Sequence, residues 1–290
     1  MLSLKGRMNA MHTYFLMFLV LVSTVIPSRA GDLVVAVDST LKFAFFEVKD
    51  AFDRKEPLVK LHLHFDEPNQ LKTQLEKNFL ADIFITHSDT LLRELNDLGL
   101  IESGTLEVFA ANYIVLAHPG RRGSPVKSLK DLTSEDIKSI GIVEGTNSAI
   151  AAITTSILTT SGLDLQLKPK YKVFATTEEI ANAVEDRKID AGFIATCDAS
   201  RRVLSVSLKQ DALTQEPMKF KSVIMKRGKD MTIPETVSSP TQVAPTTSPN
   251  IEQAKNALKV NKEDAAKFIA FLRSEDARKI LQKYGFVTVL

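Results

Sequence analysis

Two histidines and two acidic residues lie close together in the sequence, at His62, His64, Asp66 and Glu67. Because side chains alternate between the two faces of a strand, His62 and His64 share a face if this segment is extended. Imidazole and carboxylate groups gathered on one face could bind a transition metal. The same pattern is typical of the polar face of an exposed strand, and the sequence leaves both interpretations open.

The compact motifs of common enzyme classes are absent from the sequence. It contains no Gly-x-Ser-x-Gly, no phosphate-binding loop, no His-Glu-x-x-His and no Gly-x-Gly-x-x-Gly. Its single cysteine, Cys197, excludes an internal disulfide and a cysteine-rich zinc site. We therefore expect a protein that is not an enzyme and needs no cofactor, although scattered Ser, His and Asp residues could still meet in a fold.

Composition and charge favour a globular protein of one large or two modest domains. The chain has 290 residues, of which 44% are hydrophobic and 25% charged, which excludes a wholly disordered chain and a multi-span membrane protein. There are 37 basic and 35 acidic residues, and three of the basic ones lie in residues 1–30, where no acidic residue occurs. The rest of the chain is almost neutral, so no electrostatic footprint for nucleic acid is present.

Residues 1–30 are predicted to be a cleavable signal peptide. Lys5 and Arg7 precede an apolar stretch at 14–26, and Ser28 and Ala30 are the small residues expected before a cleavage point. The stretch is shorter than the roughly 20 apolar residues of a membrane-spanning helix. An uncleaved N-terminal anchor is the alternative. We expect the mature protein in the periplasm.

Strand and helix patterns alternate through the remaining chain. The continuous apolar run 33–37 predicts a buried strand, and the apolar spacing that follows it predicts a helix. Two such series, with a strand at 109–116 leading out of the first, predict an α/β fold with mainly parallel sheets flanked by helices. The segment 232–250 holds four prolines among Ser and Thr residues and is predicted to be a flexible surface insertion.

Several segments resemble a known family in order and spacing. These include 37–42 (Val-Asp-Ser-Thr-Leu-Lys), 81–86 (Ala-Asp-Ile-Phe-Ile-Thr) and 283–286 (Lys-Tyr-Gly-Phe). Together they make residues 32–290, apart from the insertion, similar to type II periplasmic substrate-binding proteins, specifically the molybdate-binding proteins of ABC importers.

This resemblance implies two lobes that close on a ligand, joined by hinge crossings near Asn112 and Phe220. Residues 31–112 and 221–290 would form one lobe and residues 113–220 the other. The implied ligand-binding residues are Ser39, Thr40, Asn69, Ser148, Ile180 and Thr196.

The expected site departs from the family pattern at two donor positions. Pro68 and Ala195 stand where the family supplies a serine and a tyrosine hydroxyl. In addition, the carboxylates of Asp38, Asp66 and Glu67 border the expected cleft and would repel a dianion. Either these acids cap helix N-termini, or the ligand carries a proton or is neutral or cationic.

The sequence thus predicts a monomeric solute-binding protein of an ABC importer. It would capture a small oxyanion resembling molybdate or tungstate and deliver it to a membrane permease. Two alternatives stay open: a different ligand, such as a protonated oxyanion, a small organic molecule or a metal, and a role as a sensor or interaction module outside transport.

Overall fold

The computed structural model describes residues 31–120, 126–145, 149–208, 216–226 and 262–288. The predicted signal peptide, the predicted insertion at 232–250 and Ser148 lie outside the described residues. Within them, no helix combines the length and apolar character needed to cross a bilayer.

Strands and helices alternate along most of the described chain. The first series is β1 (Gly31–Asp38), α1 (Lys42–Lys55), β2 (Val59–Asp66), α2 (Pro68–Glu76), β3 (Ile83–Thr86), α3 (Asp89–Asp97) and β4 (Glu107–Asn112). The second is β5 (Ile114–Pro119), β6 (Ile140–Val143), α4 (Ala149–Thr160), α5 (Asp164–Leu167), β7 (Tyr171–Phe174), α6 (Thr177–Glu185), β8 (Ala191–Ala195), α7 (Thr196–Ser200) and β9 (Leu204–Leu208). The last is β10 (Met218–Ile224), α8 (Lys262–Leu272), α9 (Glu275–Lys283) and β11 (Val287–Thr288).

The strands form two sheets, and each sheet with its helices is called a lobe below. The first lobe contains a six-stranded sheet ordered β11-β4-β10-β3-β1-β2, and the second a five-stranded sheet ordered β7-β6-β8-β5-β9. The α/β class with two lobes is confirmed. Both sheets are mixed rather than mainly parallel, because the strands next to the chain crossings, β4, β5 and β10, run antiparallel to their neighbours.

The chain passes between the lobes at Tyr113. The stretch 109–116, expected to be a single strand, is divided there: β4 pairs in the first sheet and β5 in the second. On the return, Phe220 lies within β10 and is paired with Ala110 of β4, so this strand belongs to the first sheet along its whole length.

Phenylalanine rings fill the centre of the first lobe. The Phe268 ring of α8 lies 5.0 Å from Phe52 and 6.4 Å from Phe45, both in α1, measured between ring centroids. Phe45 also contacts Phe109 of β4 at 6.1 Å. These side chains are essentially inaccessible to solvent. Helix α8 is therefore part of the core that holds the first sheet and α1 together.

The segment after α9 contacts the second lobe close to the crossing. The hydroxyl of Thr196, at the start of α7, lies 2.8 Å from the Gly285 carbonyl oxygen and also contacts the Asn112 side chain. Gly285 has a φ of +80°, and a Cβ added to it would lie 2.6 Å from the Thr196 carbonyl oxygen. Only glycine fits both the backbone conformation and the close approach at this position.

We expect Gly285→Ala to lower the free energy of unfolding by about 1–3 kcal/mol, because a left-handed backbone and a backbone clash act together. Chemical denaturation would measure the loss. The control is Gly99→Ala, where φ is +72° but nothing lies within 4 Å of the added Cβ. If Gly285→Ala costs no more than Gly99→Ala, the close approach to Thr196 contributes nothing.

Candidate functional site

A cleft of about 460 Å³ lies between the two lobes. The first turns of five helices border it: the turn Ser39–Leu41 leading into α1, then α2, α3, α4 and α6. Amides in the first turn of a helix lack acceptors within that helix and lie at the positive end of its dipole. The cleft therefore concentrates backbone donors contributed by both lobes.

The first-lobe end of the cleft contains a buried ion pair. Asp38 ends β1, His87 follows β3, and Nδ1 of His87 lies 2.6 Å from Oδ2 of Asp38. The Asp38 side chain is fully buried and that of His87 is 9% exposed. Burial on its own would lower the pKa of His87, but the carboxylates of Asp38 and Glu67 outweigh it, so the pKa is raised above its ordinary value. His87 is therefore favoured as a cation opposite an ionised Asp38.

Hydroxyl groups beside this pair are bonded to carboxylates. Oγ of Ser39 donates to Oε1 of Glu67 over 2.6 Å. The amide of Thr40 donates to Oδ1 of Asp38 over 3.1 Å, and the Thr40 hydroxyl bonds the same carboxylate. Although burial opposes it, the protonated His87 and these Thr40 bonds hold the pKa of Asp38 below its ordinary value. Asp38 thus acts as a cap for the turn that follows it.

The opposite wall centres on Asp198 and Arg201. The hydroxyl of Thr177, the first residue of α6, donates to Oδ2 of Asp198 over 2.7 Å, and Nη2 of Arg201 lies 2.8 Å from Oδ1. Burial raises the pKa of Asp198, while Thr177 and the two arginines at 201 and 202 oppose that rise. Arg201 also crosses the cleft, with its guanidinium carbon 3.8 Å from the ring centroid of Phe43 in the first lobe. This cation–π contact joins the two lobes.

The structure brings three of the six predicted ligand-binding residues to the cleft, namely Ser39, Thr40 and Asn69. Ile180 lies instead in the core of the second lobe, fully buried, with its amide donating to the Thr176 carbonyl. Thr196 lies at the hinge, where its hydroxyl contacts Asn112 and Gly285. Ser148 lies outside the described residues.

Sequence reasoning missed several residues that border the cleft, among them Lys42, Phe43, Thr177 and Arg201. Lys42 and Phe43 come two and three residues after Thr40, so their closeness to the hydroxyl pair in the sequence was an available signal. Thr177 was visible only as part of a helix start. Nothing in the sequence around Arg201 indicates that its guanidinium reaches Phe43 of the other lobe.

The histidines of β2 are each engaged by a neighbour. Nε2 of His62 lies 3.0 Å from Oδ1 of Asp32, and Nε2 of His64 lies 2.7 Å from Oε1 of Gln74. The described residues contain no group of three or more His, Cys, Asp or Glu side chains arranged to hold a metal ion. The interpretation of the His62 and His64 pair as polar strand residues fits these contacts.

Comparison with known proteins identifies the family. The model of the bacterial extracellular solute-binding proteins matches residues 33–287, nearly the whole described chain. This chain belongs to that family.

Individual relatives differ in the ligands that their names state. "Putative ABC transporter substrate-binding lipoprotein YvgL" of Bacillus subtilis (strain 168) is 22% identical over 256 residues, or 88% of this chain and 85% of that protein. The periplasmic molybdate-binding protein of Azotobacter vinelandii has a TM-score of 0.66 and 15% identity, covering 89% of this chain and all of its own. Iron-bound HitA from Pseudomonas aeruginosa has a TM-score of 0.61 and 17% identity, covering 87% and 84%. The solved structures share the fold with this solute-binding protein.

Proposed function

We propose that this protein is the extracytoplasmic substrate-binding component of an ABC importer and that its solute is a small oxyanion of the size of molybdate. It would bind the solute without changing it covalently and pass it to a membrane permease. The signal peptide predicted at residues 1–30 supports export to the periplasm. The names of the Bacillus and Azotobacter relatives support the transport role and the class of solute.

The convergence of helix N-termini in the cleft is the observation that carries the proposal. Oxyanions are bound in proteins by first-turn amides and short hydroxyl groups. Here Ser88 and Thr176 cap α3 and α6 and accept from the third amide of each helix, which leaves the earlier amides of the same turns for a ligand. Lys42 adds a positive charge from the first lobe, and Arg201 adds one from the second lobe that is shared with Asp198.

Binding would be coupled to closure of the lobes. A ligand favours the closed state only by the contacts that it makes there and not in the open state. Both lobes supply hydrogen-bond donors to the cleft, and the contact between Arg201 and Phe43 already links the two lobes. An anion touching Lys42 and the start of α6 at the same time would add to that link.

We expect at least one small oxyanion to raise the unfolding temperature of the full chain. A ligand present at about a thousand times its dissociation constant stabilises the folded state by about 4 kcal/mol. Thermal unfolding with molybdate, tungstate, sulfate, inorganic phosphate and arsenate, each in turn, would measure this. No shift with any of the five would contradict the proposed function.

Lys42→Gln should weaken binding of that oxyanion by about tenfold, the typical scale for losing a charged hydrogen-bonding group. Titration calorimetry would give the dissociation constants. Lys49→Gln is the matched control, because Lys49 lies on the same helix but outside the cleft, paired with Asp53. Equal effects of the two variants would mean that only the net charge matters, and Lys42 would not be a ligand contact.

A further inference from the structure

Two residues expected to bind an oxyanion, Ser39 and Thr40, already donate hydrogen bonds to carboxylates on the first-lobe wall. Ser39 donates to Glu67, and Thr40 supplies its amide and hydroxyl to Asp38. An oxyanion entering here meets acceptors next to the donors. The chemistry of this wall therefore constrains the protonation state of the ligand.

Glu67 and Asp38 differ in how their charges are balanced. Asp38 is fully buried and is paired with His87, so its charge is neutralised within the protein. Glu67 is exposed to the cleft, and in the described part of the chain its carboxylate receives a hydrogen bond from the uncharged Ser39 and forms no ion pair. Its charged neighbours on its own lobe are Asp38, Asp66 and His87, and Lys42 of that lobe borders the same cleft. The charged residues that border the cleft from the other lobe are Glu144, Glu178, Asp198 and Arg201.

An oxyanion without a proton would place a charged oxygen against the Glu67 carboxylate, which is repulsive. An oxyanion that keeps one proton can instead donate it to Glu67 in a charge-assisted hydrogen bond, while its other oxygens accept from helix amides. Sulfate and molybdate carry no proton in neutral solution, whereas inorganic phosphate and arsenate keep at least one. The two kinds of ion have similar size and geometry, so a single acceptor can separate them.

We propose that Glu67, held in position by Ser39, is the specificity-determining residue of the cleft and selects oxyanions that retain a proton over fully ionised ones. This inference rests on the proposed function, because it assumes that the cleft binds an oxyanion. Partial desolvation, together with the charges of Asp38 and Asp66, raises the pKa of Glu67, although the Ser39 bond and His87 oppose the rise. A raised pKa makes this carboxylate a better hydrogen-bond acceptor for a ligand proton.

The test measures dissociation constants of the full chain for inorganic phosphate, arsenate, sulfate and molybdate at neutral pH. The unmodified protein should bind phosphate and arsenate at least about tenfold more tightly than sulfate and molybdate. Glu67→Gln should weaken the binding of phosphate and strengthen the binding of sulfate, so that the ratio of the two dissociation constants changes by about a hundredfold. Glu67→Asp keeps the carboxylate but shortens the side chain by one methylene group, so it should give an intermediate ratio.

Glu144→Gln is the matched control, since it removes the same unit of charge from the same cleft without touching the bond between Ser39 and Glu67. Glu144→Gln should change the dissociation constants of all four ions in the same direction and leave the ratios between them unchanged. Far-ultraviolet circular dichroism and the unfolding midpoint of each variant would verify folding.

Failure of the selection by Glu67 can be told apart from failure of oxyanion binding. If sulfate or molybdate binds the unmodified protein as tightly as phosphate, the oxyanion function stands and the role of Glu67 is wrong. That role is also wrong if Glu67→Gln changes the dissociation constants of all four ions by the same factor. It is wrong as well if Glu144→Gln changes the ratio of the phosphate and sulfate dissociation constants as much as Glu67→Gln does. If none of the four ions binds any variant and tungstate also fails to bind, the oxyanion function itself fails, and the selection by Glu67 fails with it.

Discussion

His87→Leu is expected to lower the free energy of unfolding by about 3–5 kcal/mol, the typical cost of removing one partner from a buried ion pair. Asp38 is fully buried, and Nδ1 of His87 lies 2.6 Å from its carboxylate. Leucine would leave that carboxylate without its cation in a site closed to water. The His87 ring also contacts Phe220 at 5.6 Å between centroids, and leucine would keep only part of that packing.

The cost should depend on pH in a defined direction. Because the pKa of His87 is raised in the folded state, its contribution is fully present below the ordinary value of 6.5 and is lost as the pH rises through the folded-state pKa. The pKa of Asp38 is lowered, so its contribution is present above the ordinary value of 3.8 and is lost as the pH falls through the folded-state pKa. The difference between the unmodified protein and His87→Leu should therefore be largest between pH 3.8 and 6.5.

Urea denaturation across that pH range is the measurement. Burial lowers the pKa of His118 and gives the unmodified protein an opposing pH dependence, which cancels when the two proteins are compared by difference. The double variant Asp38→Asn with His87→Leu should be less destabilised than the sum of the two single variants, since no uncompensated charge remains. A loss below about 1 kcal/mol in His87→Leu, or additive single effects, would show that the pair is not coupled.

Phe268→Ala should lower the free energy of unfolding by about 3–5 kcal/mol, because it removes a large side chain from a packed core and leaves a cavity. The Phe268 ring is fully buried and contacts Phe45 and Phe52 of α1 at 6.4 and 5.0 Å. Since α8 packs in the core of the first lobe, the loss of stability should affect the whole lobe and not the helix alone. Chemical denaturation followed by circular dichroism would measure it.

The conservative variant Phe268→Leu should cost distinctly less, because most of the apolar volume is kept. Phe43→Ala is the matched control for losing an aromatic ring, since the Phe43 side chain is 38% exposed and lies at the cleft rather than in the core. A Phe268→Ala protein as stable as Phe43→Ala would contradict the assignment of α8 to the core.

The alternation of strands and helices could be predicted because it depends on local patterns. The apolar run at 33–37 lies in β1, and α1 follows with Phe45, Val48 and Phe52 buried as their spacing indicated. Strand direction could not be predicted in the same way. The stretch 109–116 is apolar on both sides of Asn112 and Tyr113, and the choice between one strand and two depends on which sheet each half joins.

The candidate site was predictable only close to the ends of β1 and β2, where Asn69 borders the cleft as Ser39 and Thr40 do. Ser39 and Thr40 border the cleft because ligands of open α/β sheets lie beyond the carboxyl ends of the strands. Ile180 and Thr196 were placed by family resemblance, and the structure puts them in the core of the second lobe and at the hinge. The place of a residue after a strand does not indicate which residues from distant parts of the sequence contact its side chain.

By itself, the sequence determined the α/β class, the helix starts and the presence of carboxylates near the end of β1, since periodicity and local residue types are sufficient for these. Tertiary structure alone decided that Asp38 is paired with His87, that Ser39 bonds Glu67 at the cleft, and that Arg201 reaches Phe43 across it. The partners in these contacts are separated by 28 to 158 residues along the chain. The first two contacts depend on which strand ends the first sheet brings together, and the third depends on how the two lobes pack. No local pattern encodes either arrangement.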